Sequence, residues 1–373
     1  MRRKWWIVLL LAIVAFFGCQ RRPLEYMATT GLKVIVKVIW KVDVYPDGIK
    51  PTGITLFFFR DGEFYMQHTT SNVDSCAVQL DPGHYQLYMI TQSPEEYYKM
   101  EFDHLNNFHD AEVSVVETKS SWYKSKAGEE EVIDNPEMMA AGVAEEFDVT
   151  QEMVEEYQRY AYTVQKLRKE LSGKTKATED EIAADLDEAE EMINYYTIRV
   201  PINPTSVVSQ YWVTIYAKNA DVLKSLRAST TGMAKSFELT QNTTGPEHGT
   251  QLMTQWTLTM DDEPFRIGHV DGKITTFGLP SNEKPSAMRD STLNVSALLI
   301  DDKTVADYVF NVGDKIKLEE APKGYRALYR LIFGSKEVPA IDLPDVKPPD
   351  GGGGGFTAAV EDWDEEINVD IPI

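Results

Sequence analysis

Ile54-Thr-Leu-Phe-Phe-Phe-Arg60, Asp61-Gly62 and Glu63-Phe-Tyr-Met-Gln-His-Thr-Thr70 form the stretch on which the fold turns. Two runs rich in aromatic and β-branched residues stand on either side of Asp-Gly. That dipeptide takes positive φ angles at little steric cost, so a tight hairpin is expected between strands at 54–60 and 63–70. Upstream, the β-branched run from Leu32 to Val44 reads as a long strand. Downstream, Leu80-Asp-Pro-Gly-His-Tyr-Gln-Leu-Tyr-Met-Ile90 turns at Pro82-Gly83 and then sets Tyr85, Leu87 and Met89 on one face at period two. Short strands with turn signals between them predict an antiparallel β-sandwich. Trp40, Phe57, Phe58, Phe59, Phe64, Tyr65, Tyr85 and Tyr88 are therefore read as core; a stacking platform for a glycan is the alternative.

The pattern changes after Pro136. Met153, Tyr157, Tyr160, Val164, Leu167 and Leu171 are spaced as a helical seam, which Gly173 is expected to stop. Thr178-Glu-Asp-Glu181 has the form of a capping box, and Ile182, Leu186, Ala189 and Ile193 repeat the seam. This predicts a helical hairpin over 148–193. Strand character returns at Tyr195–Val200 and Val207–Ala217. It continues at Gly232–Leu239, Gln251–Met260, Arg266–Phe277, Thr292–Ile300 and Ala306–Val312, with a turn at Pro322-Lys-Gly324. The expected organisation is a sandwich at 32–147, the acidic hairpin at 148–193, a second sandwich at 194–334 and a tail at 335–373. In that tail Gly351–Gly355 is a flexible joint. Beyond the joint, Phe356, Val360 and Trp363 stand among acids and mark a strand-pairing segment, which either completes its own domain or adds to a partner's sheet edge.

The formal charge of −22 is unevenly placed. Residues 128–193 carry 20 acids against 6 bases, and 337–373 carry 10 acids against Lys347 alone, so the remaining body is close to neutral. A solvated surface explains this charge, and without a basic face nucleic acid is excluded as a partner. The six histidines show no metal-ligand spacing; Asp103-His104 and His109-Asp110 read as surface pairs. There is no GxSxG, no P-loop, no GxGxxG after a strand and no thiol beside a histidine. The chain is expected to be no enzyme and to carry no cofactor and no metal, with a cell-envelope hydrolase as the remote alternative. Cys76 alternates with apolar residues and reads as a small core residue.

At the start, Arg2, Arg3 and Lys4 precede an apolar run from Trp5 to Phe17, then Gly18-Cys19. This is an export signal, too short to span a bilayer. It resembles the lipobox of bacterial lipoproteins, which implies cleavage between Gly18 and Cys19 and acylation of the Cys19 thiol, with residues 19–31 as a tether. The Leu80-x-Pro82-Gly83-x-Tyr85-x-Leu87 turn, the second-domain opening Tyr211-Trp-Val-Thr-Ile-Tyr216 and the close Gly351–Phe356 with Val360-Glu-Asp-Trp363 complete the pattern. Together they are similar to the two-domain fimbrial lipoproteins of Bacteroidota, the anchor and minor-subunit class of the type V pilus system.

That resemblance implies a mainly β fold of two transthyretin-like antiparallel Greek-key sandwiches, here with an inserted α-helical hairpin. It implies an outer-membrane lipoprotein at the cell surface, working with fimbrial subunits in anchoring, capping or assembly, or as an adhesin. A glycan-binding surface lipoprotein is the alternative. Asp290-Ser291-Thr292 resembles the O-glycosylation sequon of the phylum, which makes Ser291 a candidate acceptor. Gln20-Arg21-Arg22 lacks the acidic run that marks export to the outer face, which leaves both faces of the membrane open.

Overall fold

The computed structural model describes residues 31–40, 50–118, 130–171, 176–285 and 290–349. Within these, the chain forms two compact units, one of 31–34, 78–82 and 149–198 and one of 35–77, 83–148 and 199–349. The protein is mainly β, built of several antiparallel sheets with one helical hairpin.

The Asp61-Gly62 hairpin is present as expected, between strands Ile54–Arg60 and Glu63–Thr70. Asp61 and Gly62 take φ values of 54° and 87°, the two left-handed conformations that a twist-matched two-residue turn requires. Ile54–Arg60 also pairs antiparallel with Gly83–Thr91, which puts it inside a six-stranded sheet completed by Ala140–Val143, Thr205–Ser206 and Phe147–Val149. The strand expected over 32–44 is described as Leu32–Val38; residues 41–44 lie outside the described residues.

The second half holds the largest core. A sheet ordered Trp256–Asp262, Ile267–Thr276, Ser209–Lys218, Leu328–Phe333, Lys317–Glu319 faces one ordered Val305–Asn311, Thr292–Leu299, Leu223–Ala234, His248–Met253, Val132–Ile133. Tyr211, Val213 and Ile215 of the first and Leu226, Ala228, Leu293 and Val295 of the second are all buried in this core. Leu328–Phe333 and Ile341–Asp342 run parallel to Ser209–Lys218, and Val132–Ile133 runs parallel to His248–Met253, within an otherwise antiparallel arrangement. Ile341 and Leu343, 3 % and 1 % exposed, belong to the core although they follow the expected domain end.

Segments before and after the helical insert share sheets. Glu112–Val115 pairs with Met100–Asp103 on one side and with Ser236–Glu238 on the other. A second core correspondingly combines Phe57, Tyr88 and Met139 with Val207, Phe237 and Phe277.

Three strand expectations need correcting. The run at 251–260 is two strands, His248–Met253 and Trp256–Asp262. The buried Trp256 donates its indole Nε1–H to the Met253 carbonyl at 3.0 Å and so closes the break. Gly232 starts no strand. It takes a φ of 76° inside Leu223–Ala234, where the register against His248–Met253 slips between Thr230 and Met233, the position of a bulge. Tyr195 and Tyr196 are helical, and the strand begins only at Ile198.

In the other unit the helices α1 (Gln151–Leu171) and α2 (Lys176–Tyr196) form the expected hairpin. Thr150 caps α1, its Oγ1 accepting the Met153 N–H at 3.2 Å. Val154, Tyr157, Val164 and Ala189 are buried along the seam, and Arg168 pairs with Glu190 at 2.7 Å. α2 begins at Lys176, so the box at 178–181 lies within the helix instead of ahead of it. Gly173 lies outside the described residues. Thr197 ends α2 by donating its Oγ1–H to the Ile193 carbonyl at 2.7 Å.

Candidate functional site

Gly18 and Cys19, and Phe356, Val360 and Trp363, lie outside the described residues. Ser291 is buried at 7 % exposure, and its carbonyl accepts the Val312 N–H at 2.9 Å. Among the described residues no helix is long and apolar enough to cross a membrane, and no cluster of three His, Cys, Asp or Glu side chains has metal-holding geometry. His109 and Asp110 are tied to a local turn: Asn107 Oδ1 accepts the His109 N–H at 3.1 Å, and Asn107 Nδ2 donates to Asp110 Oδ2 at 2.5 Å.

The aromatics of the first half divide by depth. Phe57, Phe58, Phe59, Tyr85 and Tyr88 are buried, whereas Phe64 is 40 % exposed and Trp40 and Tyr65 are half-buried. Phe57 stacks on Tyr88 with centroids 4.6 Å apart, and the Tyr88 hydroxyl donates to the Leu105 carbonyl at 2.8 Å. Burial raises the Tyr88 hydroxyl above its ordinary pKa, and it raises the Cys76 thiol to about 11. Both are interior groups and offer nothing to a ligand.

The open face lies on the other large sheet. Along Ser209–Lys218, Tyr211, Val213 and Ile215 point into the core, and Trp212, Thr214 and Tyr216 alternate onto the opposite face. Register aligns Trp212 with Lys273 on one neighbouring strand and with Arg330 on the other. Lys273 Nζ lies 3.6 Å and the Arg330 guanidinium carbon 4.0 Å from the Trp212 ring centroid, so a cation from each strand packs on the indole. Arg330 Nη2 donates to Thr214 Oγ1 at 3.1 Å. Thr214 in turn donates to Asp271 Oδ1, which also accepts the Trp212 Nε1–H at 3.2 Å. His269, facing Tyr216 across the strands, stands between Asp261 at 2.7 Å and Asp271 at 3.4 Å. This is a charged, aromatic and rigidly bonded face, with cations against its tryptophan. It suits polar recognition. The strict alternation Trp-x-Thr-x-Tyr at 212–216 was its one sequence signal; the cationic partners come from strands remote in sequence.

A smaller cluster sits on the first sheet. His84 Nδ1 lies 2.8 Å from Asp148 and Nε2 3.1 Å from Glu146, whose other oxygen accepts from Gln86 Nε2 at 2.7 Å. Asp148 and then Glu146 raise the His84 pKa above its ordinary value, and the Gln86 and His84 hydrogen bonds hold the Glu146 carboxyl below its own.

The chain is similar in structure to a protein described as a candidate adhesin from Bacteroides ovatus. The TM-score is 0.50 at 12 % identity, covering 86 % of this chain and 94 % of that one. It is also similar to the fimbrial anchor protein Mfa2 from Porphyromonas gingivalis, at a TM-score of 0.39 and 8 % identity, covering 76 % and 82 %. A third similar structure is a candidate adhesin from Bacteroides thetaiotaomicron, at 0.41 and 9 %, covering 72 % and 76 %. At these identities the likeness is one of fold. No curated protein matches the sequence. The sequence model described as "Domain of unknown function (DUF5119)" matches residues 18–254, more than half of the chain, and the protein belongs to that family.

Proposed function

We propose that this protein is a lipid-tethered component of the outer membrane, facing the cell surface, that works in fimbrial anchoring, capping or assembly and makes no chemical conversion. The observation that carries the reading is the fold, shared over 86 % of the chain with a protein described as a candidate adhesin. The sequence at Gly18-Cys19 supports the tether, because a thiol at the cut of a short export signal is the group that lipoprotein maturation acylates. The long β-body supports an assembly role. Val305–Asn311 is the outermost strand of its sheet, with Val309 63 % exposed, and an open edge of this kind pairs with an added strand through its backbone. Phe356, Val360 and Trp363 are the residues such an added strand would use, whether within the chain or across to a fimbrial subunit.

Mass spectrometry of surface fimbriae sheared from cells with and without the protein tests the role. Loss of attachment or a changed length and subunit composition is expected; identical fimbriae would refute anchoring. Replacing Cys19 with Ala is expected to move the folded protein from the membrane to the soluble fraction. Membrane retention of that variant would remove the tether. Deleting 351–373 separates the two uses of the tail: a lowered melt with fimbrial capture intact means self-completion, and lost capture with an unchanged melt means donation.

A further inference from the structure

A cleft of about 360 Å³ opens beside the Trp212 face, within the size range of small-molecule sites (roughly 300–1,000 Å³). Lys99 and Lys273 line it together with Glu137, Thr254, Gln255 and Thr275. Its walls come from four regions of the chain and are fixed to one another by hydrogen bonds that involve side chains. Thr275 Oγ1 donates to the Pro136 carbonyl at 2.6 Å, and Asn135 Nδ2 donates to the Leu252 carbonyl at 3.1 Å. The fully buried Gln251 donates its amide to the Asp134 and Thr275 carbonyls at 3.2 and 3.3 Å. A cleft braced in this way exists before any ligand arrives, so little ordering cost accompanies binding.

The chemistry of the lining is selective. Glu137 Oε2 accepts the backbone N–H groups of Tyr98 and Lys99 at 2.7 and 2.9 Å, which occupies that oxygen and sets the path of the chain at Lys99. Among the described residues neither Lys99 nor Lys273 forms an ion pair, although the chain carries a net charge of −22. Lys273 is steadied instead by the Trp212 ring, 3.6 Å from its ammonium. Two lysines thus line the cleft against the single carboxylate of Glu137, next to the exposed Thr254 and Gln255. Hydroxyl and amide groups both donate and accept, the property that matches sugar hydroxyls. A neutral sugar would leave both ammonium groups without a partner, and a bare anion would leave the amide and hydroxyl without one.

We infer that this cleft binds an acidic saccharide, its carboxylate held between Lys99 and Lys273 and its hydroxyls by Thr254 and Gln255. The inference goes beyond the tether and the fimbrial role, and its test is independent of both.

The full-length protein, purified in detergent, is titrated calorimetrically with trigalacturonate and 3′-sialyllactose, and with the carboxyl-reduced form of each. At least one acidic sugar is expected to bind, and its reduced form to bind about tenfold more weakly. Lys99→Gln and Lys273→Gln are each expected to weaken binding about fivefold, the weight of one exposed charge pair, with unchanged melting curves. Both side chains are exposed, so the substitutions leave the core untouched. No binding of either acidic sugar, equal binding of the reduced forms, or undiminished binding by the Lys99→Gln/Lys273→Gln double variant would each overturn the assignment. If the variants melt early, Gln255→Ala, which also lines the cleft, serves as the second reading, with undiminished binding there counting against the site.

Discussion

Ile54–Arg60 and Ser209–Lys218 occupy equivalent places, each an interior strand paired on both sides in a six-stranded sheet, yet they face different surroundings. Along Ile54–Arg60 six consecutive residues are buried, so the strand is sealed on both faces. Along Ser209–Lys218 the core-facing residues alternate with the half-buried Trp212 and Tyr216. The sequences carry the difference: Leu56-Phe-Phe-Phe59 is continuously apolar, whereas Trp212-Val-Thr-Ile-Tyr216 alternates. A continuous apolar run is what a doubly covered strand needs, and alternation is what a strand with one wet face needs. Aromatic residues therefore mean opposite things in the two strands. In the first they hold the fold together, and in the second Tyr211 does so while Trp212 and Tyr216 stand half-open on the other face.

Truncation sharpens this contrast most. Phe57→Ala removes a ring that is 1 % exposed and stacked on Tyr88, so a loss of about 3–5 kcal/mol in urea unfolding is expected. Trp212→Ala removes two cation–π contacts from a half-exposed site and is expected to cost about 1–2 kcal/mol, with the cooperativity of unfolding unchanged. Equal losses from the two substitutions would break the distinction between a structural and an available aromatic.

Asp271→Ala acts at an intermediate level. Its carboxylate collects the Trp212 indole and the Thr214 hydroxyl, and that hydroxyl also accepts from Arg330. Leaving these partly buried donors without an acceptor is expected to cost about 1–3 kcal/mol and to shift Trp212 fluorescence. An unchanged spectrum would mean that the bonding on this face does not hold the indole. Cys76 gives the corresponding probe of the interior. With its thiol raised to about 11 and only 6 % exposed, it is expected to resist a thiol reagent at pH 8 in the folded protein and to react once urea unfolds the chain.

Local features were legible in the sequence. Asp61-Gly62 announces its hairpin because the turn's requirement lies in two adjacent residues, and the seam of α1 and α2 is a repeat along one segment. What escaped depends on distant partners. Leu328–Phe333 joins Ser209–Lys218 in parallel, and Glu112–Val115 joins Ser236–Glu238 across the helical insert; nothing within either strand names its partner. The cleft was hidden for the same reason, since Lys99, Glu137, Gln255 and Lys273 share no local pattern. Gly232 misled because a glycine inside a strand signals a bulge as readily as a boundary.

The smallest effect concerns charge on the sealed sheet. His84 stands between Asp148 and Glu146, fully at the surface, with Asp61 Oδ1 also accepting its backbone N–H at 3.0 Å. Folding raises the histidine pKa, so its stabilising contribution is complete below the ordinary value of 6.5 and fades as pH climbs through the higher folded value. Folding lowers the Glu146 pKa, so that contribution is complete above 4.5 and fades as pH falls through the lower folded value. The two windows overlap between about pH 4.5 and 6.5, where both partners carry their charges. His84→Gln is therefore expected to lower the melting temperature most near pH 5.5 and progressively less toward pH 8, and added salt should shrink the gap because the cluster is exposed. A gap that is constant with pH would mean that His84 acts through packing or neutral hydrogen bonds.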